Sequence, residues 1–207
     1  MADIKRIMET LGSEFAYAKT ELKYDNIFQL LVAVILSAQC TDKRVNMVTE
    51  ELFKKYKTPA DFVSLSQQTL EGLIHSCGFY RNKAKNLIAC AKIIEEEFDG
   101  IVPSTRERLM TLPGVGRKVA NVIMAEGFNK NAIAVDTHVF RVSRRLGLSS
   151  AKTPEQCEQD LMKLFPEELW SQMHIRMLLF GRYKCRAIKP DCEGCSFCDI
   201  CMKTVKK

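Results

Sequence analysis

The run Leu112-Pro113-Gly114-Val115-Gly116-Arg117-Lys118 sets a potential nucleophile beside a turn able to hold an anion. It lies between helical patterns over 104–110 and 117–125, so it reads as a tight helix-to-helix turn. Two glycines let the backbone turn sharply and approach a ligand closely. The second helix offers unpaired N–H groups and the positive end of its dipole, which together can grip a phosphate without reading a base. A bare P-G-x-G is also an ordinary connection, and a lone surface lysine is ordinarily a solvated charge. Placement distinguishes Lys118. In the first turn of a helix and next to Arg117, the ammonium form is disfavoured, and a neutral amine is a nucleophile.

About eighteen residues further on, Ala132-Ile133-Ala134-Val135-Asp136-Thr137-His138 delivers a carboxylate, a hydroxyl and an imidazole at the start of a helix carrying Phe140, Val142 and Leu146. Asp136 can serve as that helix's N-cap, a role compatible with catalysis. A third group is cysteine. Five of the nine cysteines are Cys185, Cys192, Cys195, Cys198 and Cys201, a clustering that favours a metal site over disulfides. Spacing alone leaves a ferredoxin-like C-x2-C-x2-C-x2-C run and structural zinc both open. Cys40, Cys77, Cys90 and Cys157 read as small apolar residues within helices.

The elements that must position these groups are helices. Nearly every segment shows helical periodicity and none a sustained strand-like alternation, so the expected fold class is all-α. Asn26 to Ser37 is an almost wholly apolar helix buried on all sides, and Thr41 or Asp42 caps the next, which runs to about Tyr56. Thr58-Pro59 and Thr153-Pro154 are cap-plus-proline starts, Ser66 caps a short helix, and 82–98 carries apolar residues at helical spacing. The 207 residues, 46% of them hydrophobic, suffice for a core. The net charge of +6 suits a polyanionic partner without requiring one. The N-terminal residues show no signal-peptide pattern and no run reaches membrane-spanning length, so the expectation is a cytoplasmic monomer with no membrane partner.

Taken together, L-P-G-V-G-R-K and A-V-D-T-H-V-F-R-V resemble the endonuclease III family of helix-hairpin-helix DNA glycosylases. The resemblance runs from about Leu30 to Cys201 and includes L-L-V-A-V-I-L-S-A-Q-C-T-D and G-F-Y-R-N-K-A-K-N. It implies two helical domains flanking a cleft: a six-helix barrel with the helix-hairpin-helix over 23–129, and an iron-sulfur domain formed by 1–22 and 130–207. It further implies Lys118 and Asp136 as catalytic residues, with Leu112, Gly114, Gly116, Arg117 and His138 on DNA. Gln39 and Phe79 would enter the duplex; Phe79 stands where leucine is common and could instead be core. The resemblance selects Cys185, Cys192, Cys195 and Cys201, spaced C-x6-C-x2-C-x5-C, as ligands of a C-terminal 4Fe-4S cluster, leaving Cys198 over. Its partner would be double-stranded DNA containing a damaged base or abasic site, in a bacterial or archaeal nucleoid. The implied activity is removal of oxidised pyrimidines and strand nicking by β-elimination through a Lys118 Schiff base. Competing expectations are a monofunctional mismatch glycosylase, whose family lacks the hairpin lysine, and a non-enzymatic iron-sulfur DNA-binding protein.

Overall fold

The computed structural model describes residues 3–202, and among these every regular element is helical. Lys203, Lys206 and Lys207 lie outside the described residues. The chain divides into two compact units, one spanning Glu21–Phe128 and the other combining residues 3–20 with 129–202.

The continuous unit is organised around α2 (Ile27–Ser37), in which Phe28 to Leu36 are all buried. A helix apolar on every side has no solvent face to offer, so the others pack around it. α3 (Asp42–Lys55) is capped by Thr41, whose hydroxyl accepts the Arg44 N–H at 3.3 Å. α4 (Pro59–Val63) opens on a capping box between Thr58 and Asp61 and brings Phe62 edge-on to Phe28, ring centroids 5.1 Å apart. α5 (Gln67–Ile74) starts at the Ser66 cap, and α6 (Tyr80–Phe98) begins two residues earlier than its apolar pattern suggested. α7 (Arg106–Leu109) and α8 (Arg117–Val122) form the hairpin pair, tied by Arg106 Nε donating to Asn121 Oδ1 at 2.8 Å. Where the sequence suggested a regular helix to Ala125, α8 passes at Ile123 into a π-helical turn, Ile123–Gly127. A Cβ at Gly127 would lie 3.2 Å from Leu30 and 3.3 Å from Ile27, so glycine lets this wider turn sit tight against α2.

The second unit contains α1 (Ile4–Glu14), α9 (Thr137–Arg145), α10 (Pro154–Leu164), a 3-10 turn (Glu167–Leu169), α11 (Trp170–Tyr183) and a C-terminal loop. Phe180 anchors its core, edge-on to Phe15 at 6.4 Å and to Phe197 of the loop at 5.3 Å. α9 and α11 cross closely: a Cβ at Gly181 would fall 2.9 Å from His138 Cβ and 3.2 Å from its carbonyl. Arg6 holds the loop from α1, bonding both carboxylate oxygens of Asp199 and the Ser196 carbonyl. Lys184 pairs with Glu14 at 3.1 Å, and Ser196 donates its hydroxyl to the same carboxylate.

Candidate functional site

The hairpin turn is built from the residues the sequence singled out. The Val115 N–H donates to the Leu112 carbonyl at 3.0 Å, Leu112 and Val115 are buried, and Gly114 sits at φ +84° with its α-carbon face against Asn86. A Cβ there would be 3.2 Å from Asn86 Cβ, so the turn's geometry itself requires glycine at 114. Gly116 is different. It is the N-cap of α8 in extended conformation, φ −88° and ψ 178°, and a Cβ would meet no protein atom within 4 Å. Nothing in the fold demands glycine at 116; open space beside the first N–H groups of α8 suits close approach of an external anion. Arg117 and Lys118 are the first two residues of α8, with Lys118 exposed.

Asp136 lies in the other unit as the N-cap of α9, and its Oδ1 accepts the Val139 N–H at 2.7 Å. One carboxylate oxygen thus fixes the helix start, and the half-buried side chain keeps a second oxygen for other work. His138 follows on the first turn. Arg141 Nη2 lies 3.2 Å from His138 Nδ1, and because a guanidinium only donates, Nδ1 accepts and Nε2 carries the outward N–H.

Gln39 and Phe79 share a backbone signature. Gln39 has φ +53° and Phe79 φ +57°, both left-handed, a conformation that costs a non-glycine residue about 1–3 kcal/mol. Phe79 is 64% exposed, which removes the alternative that it is core. Gln39 is not the C-cap of α2, a place taken by Ala38. Beneath them Lys83 is 6% exposed, its ammonium donating to the Leu36 carbonyl at 2.8 Å and the Ala38 carbonyl at 2.7 Å. Burial pushes the Lys83 pKa down, while the Cys77 and Cys40 thiols oppose the shift. Burial, then Cys40, pushes the Cys77 thiol up to about 11.

Cys185, Cys192, Cys195, Cys198 and Cys201 line one small cavity together with Arg145, Pro190 and Asp191. Cys185 and Cys201 are buried, Cys192 and Cys195 half-buried, and Cys198 exposed. Burial raises the Cys195 pKa, the Phe197 backbone N–H opposes it, and the thiols of Cys185, Cys201 and Cys192 raise it further, so each of the three lies near Cys195. Among the described residues no three His, Cys, Asp or Glu side chains are gathered tightly enough to hold a single metal ion. Thiols gathered about one cavity are soft donors of the kind that hold zinc or iron-sulfur clusters.

Sequence reasoning missed the residues that support these groups. Arg145 Nη1 donates to Cys185 Sγ at 3.2 Å and to the Arg186 carbonyl at 2.8 Å, while Arg141 donates to the carbonyls of Cys185 and Gly181. The two arginines stand four residues apart on one face of α9, a spacing that could have marked them. Lys83 had no such signal.

The helix-hairpin-helix base excision DNA repair superfamily model (HhH-GPD) matches residues 32–167. Endonuclease III of Bacillus subtilis (strain 168) is 46% identical, with 100% of this chain and 96% of that protein covered. Endonuclease III of Synechocystis is 50% identical, covering 94% of this chain and 90% of that one. The chain belongs to the endonuclease III family. Among solved structures, an endonuclease III–DNA covalent intermediate, trapped in an estranged-adenine complex, matches with a TM-score of 0.95 at 45% identity over 100% of this chain and 99% of that one. A thermostable thymine-DNA glycosylase shares the fold, with a TM-score of 0.87 at 22% identity over 99% of this chain and 97% of that one. Among the described residues of this endonuclease III family member, no helix is long and apolar enough to cross a membrane.

Proposed function

We propose that the chain is a bifunctional DNA glycosylase and AP lyase of base excision repair, removing oxidised pyrimidines from duplex DNA and nicking the strand 3′ to the abasic site. The observation that carries this is Lys118, an exposed amine on the second residue of α8 in a chain 45% identical to an endonuclease III caught covalently on DNA.

A base inside a duplex is out of reach, so the nucleotide must be extruded, at a cost that a damaged pair lowers. Phe79, exposed and apolar, and Gln39 fill the gap it leaves. Gly114 and Gly116 let α8 take a backbone phosphate onto its first N–H groups, with Leu112 fixing the turn and Arg117 and the His138 Nε2–H as further contacts. Lys118 Nζ attacks C1′ as the C1′–N bond breaks, and the base leaves with the bonding electron pair. Opening of the sugar ring gives an imine between Nζ and C1′. The imine acidifies the C2′ proton, whose loss expels the 3′ phosphate, and water then releases the lysine. The free oxygen of Asp136 stabilises positive charge on the sugar and accepts a proton from the attacking amine.

Cys185, Cys192, Cys195 and Cys201 would hold a 4Fe-4S cluster, which supplies structural cross-links to a loop poor in apolar residues. Arg141 and Arg145 join that loop to the helix headed by Asp136, so the loop's order and the carboxylate's orientation share one support. The partner is double-stranded DNA with a damaged base or abasic site, met by a monomer in the cytoplasm of a bacterium or archaeon. Incubating the protein with a duplex containing one oxidised pyrimidine tests the proposal. Free base and a nick without added alkali are expected; base release without a nick would point to a monofunctional enzyme, and neither product would reject catalysis.

A further inference from the structure

Gln39 and Phe79 come from different parts of the sequence, yet both must hold an unfavourable left-handed backbone before DNA arrives. One side chain connects them. The Lys83 backbone N–H donates to the Phe79 carbonyl at 3.1 Å, closing the first turn of α6, while its ammonium reaches the carbonyls of Leu36 and Ala38, the latter immediately before Gln39.

The C-terminal carbonyls of α2 need partners once the helix stops. Val34 receives the Ser37 hydroxyl, Ser37 receives the Cys40 N–H, and Leu36 and Ala38 receive Lys83. A buried cation at the negative end of a helix is well sited electrostatically, and it fixes the exit direction of the chain. The two loops also meet directly: a Cβ at Gly78 would lie 3.4 Å from the Gln39 carbonyl oxygen, and the Cys40 thiol is close enough to Cys77 to raise its pKa.

We infer that Lys83 is a positioning residue for damage recognition, locking Gln39 and Phe79 into one preformed wedge that invades the duplex. This deepens the proposed function and rests on it. Lys83 touches no substrate; it acts through the two residues it holds. Losing the ammonium leaves two carbonyls unsatisfied and frees the turn, so the wedge must be ordered at each encounter, and the penalty falls on extrusion of a paired nucleotide rather than on chemistry at C1′.

The test compares single-turnover base release from a fully paired oxidised pyrimidine with nicking at a preformed abasic site, using the full chain. Lys83→Met should slow the first by about ten- to a hundredfold and the second by less than about threefold. Lys83→Arg, which keeps the cation, should recover most of the loss. Adding Lys83→Met to Gln39→Ala should cost little beyond Gln39→Ala alone, since residues acting as one unit are not additive. The response of 2-aminopurine placed next to the lesion should fall in parallel with base release. Should Lys83→Met fail to fold, Lys83→Gln enters the same comparison and the same outcomes decide. Equal losses on both substrates, no loss on either, or full additivity with Gln39→Ala would overturn the inference. If the unaltered protein acts on neither substrate, it is the proposed function that fails.

Discussion

The two hairpin glycines should respond differently to alanine. At Gly114, φ is +84° and the new Cβ would press on Asn86 at 3.2 Å. The left-handed conformation alone costs about 1–2 kcal/mol with a side chain, corresponding to a melting temperature lower by roughly 2–8 °C in a chain of this size. At Gly116, φ is −88° and nothing lies within 4 Å, so alanine enters without strain. Restricting the unfolded chain there stabilises by about 0.4–1 kcal/mol, while alanine is a poorer N-cap than glycine by a similar amount, so the melting temperature should move by less than about 2 °C. DNA binding should go the other way. If a phosphate sits against the start of α8, the methyl group holds it off, and one lost hydrogen bond to a charged group, about 1.5–3 kcal/mol, weakens Kd about ten- to a hundredfold. Thermal melting paired with anisotropy titration of an abasic-analogue duplex measures both. Gly116→Ala that binds like the parent protein, or that melts as low as Gly114→Ala, would refute the division of labour drawn from the turn.

Asp136→Asn keeps a capping side chain for Val139, so melting should be nearly unchanged while nicking falls by about 10²–10⁴, as for loss of a general base; equal losses of stability and activity would assign Asp136 to capping alone. Cys195→Ser should lose bound iron and Cys198→Ser keep it, as counted by iron and sulfide analysis of the purified proteins; iron lost equally from both would undo the choice of ligands. Asp61 is held below the usual carboxylate range by the backbone N–H groups of Lys57 and Thr58. A folded pKa below the unfolded value, about 3.9, contributes stability that is fully present above that value and lost as pH falls through the folded pKa. Asp61→Asn should therefore flatten the acid limb of a melting-against-pH curve below about pH 4, and an unchanged limb would count against this.

Much of the fold was legible because caps and apolar periodicity are local. Thr41, Thr58, Ser66 and Thr153 each cap the helix their position suggested, Asn26 caps the helix it was read as opening, and α2 is buried on every face as its composition required. The π-helical turn after Val122 was not legible, since the residues it packs against at Gly127, Ile27 and Leu30, lie nearly a hundred residues earlier in the chain. The site divides in the same way. Gly114, Gly116 and Lys118 are neighbours in sequence, and their relation survives as a single turn, whereas Lys83 looks like any helical lysine until two carbonyls some forty-five residues away are seen to accept from it. The left-handed backbone of Gln39 and Phe79 leaves no trace in residue type, because neither is glycine, asparagine or aspartate. Arg145 was hidden for a further reason: its target is a cysteine whose own role came from the family resemblance.

The central claim is that Lys118 forms the covalent bond to DNA, and borohydride trapping tests it most directly. Reducing the imine during reaction with a damaged duplex should yield a stable protein–DNA adduct whose proteolytic fragments carry the nucleotide on Lys118, and Lys118→Ala should abolish the adduct while retaining binding. An adduct mapped to another residue, or undiminished in Lys118→Ala, would contradict the account.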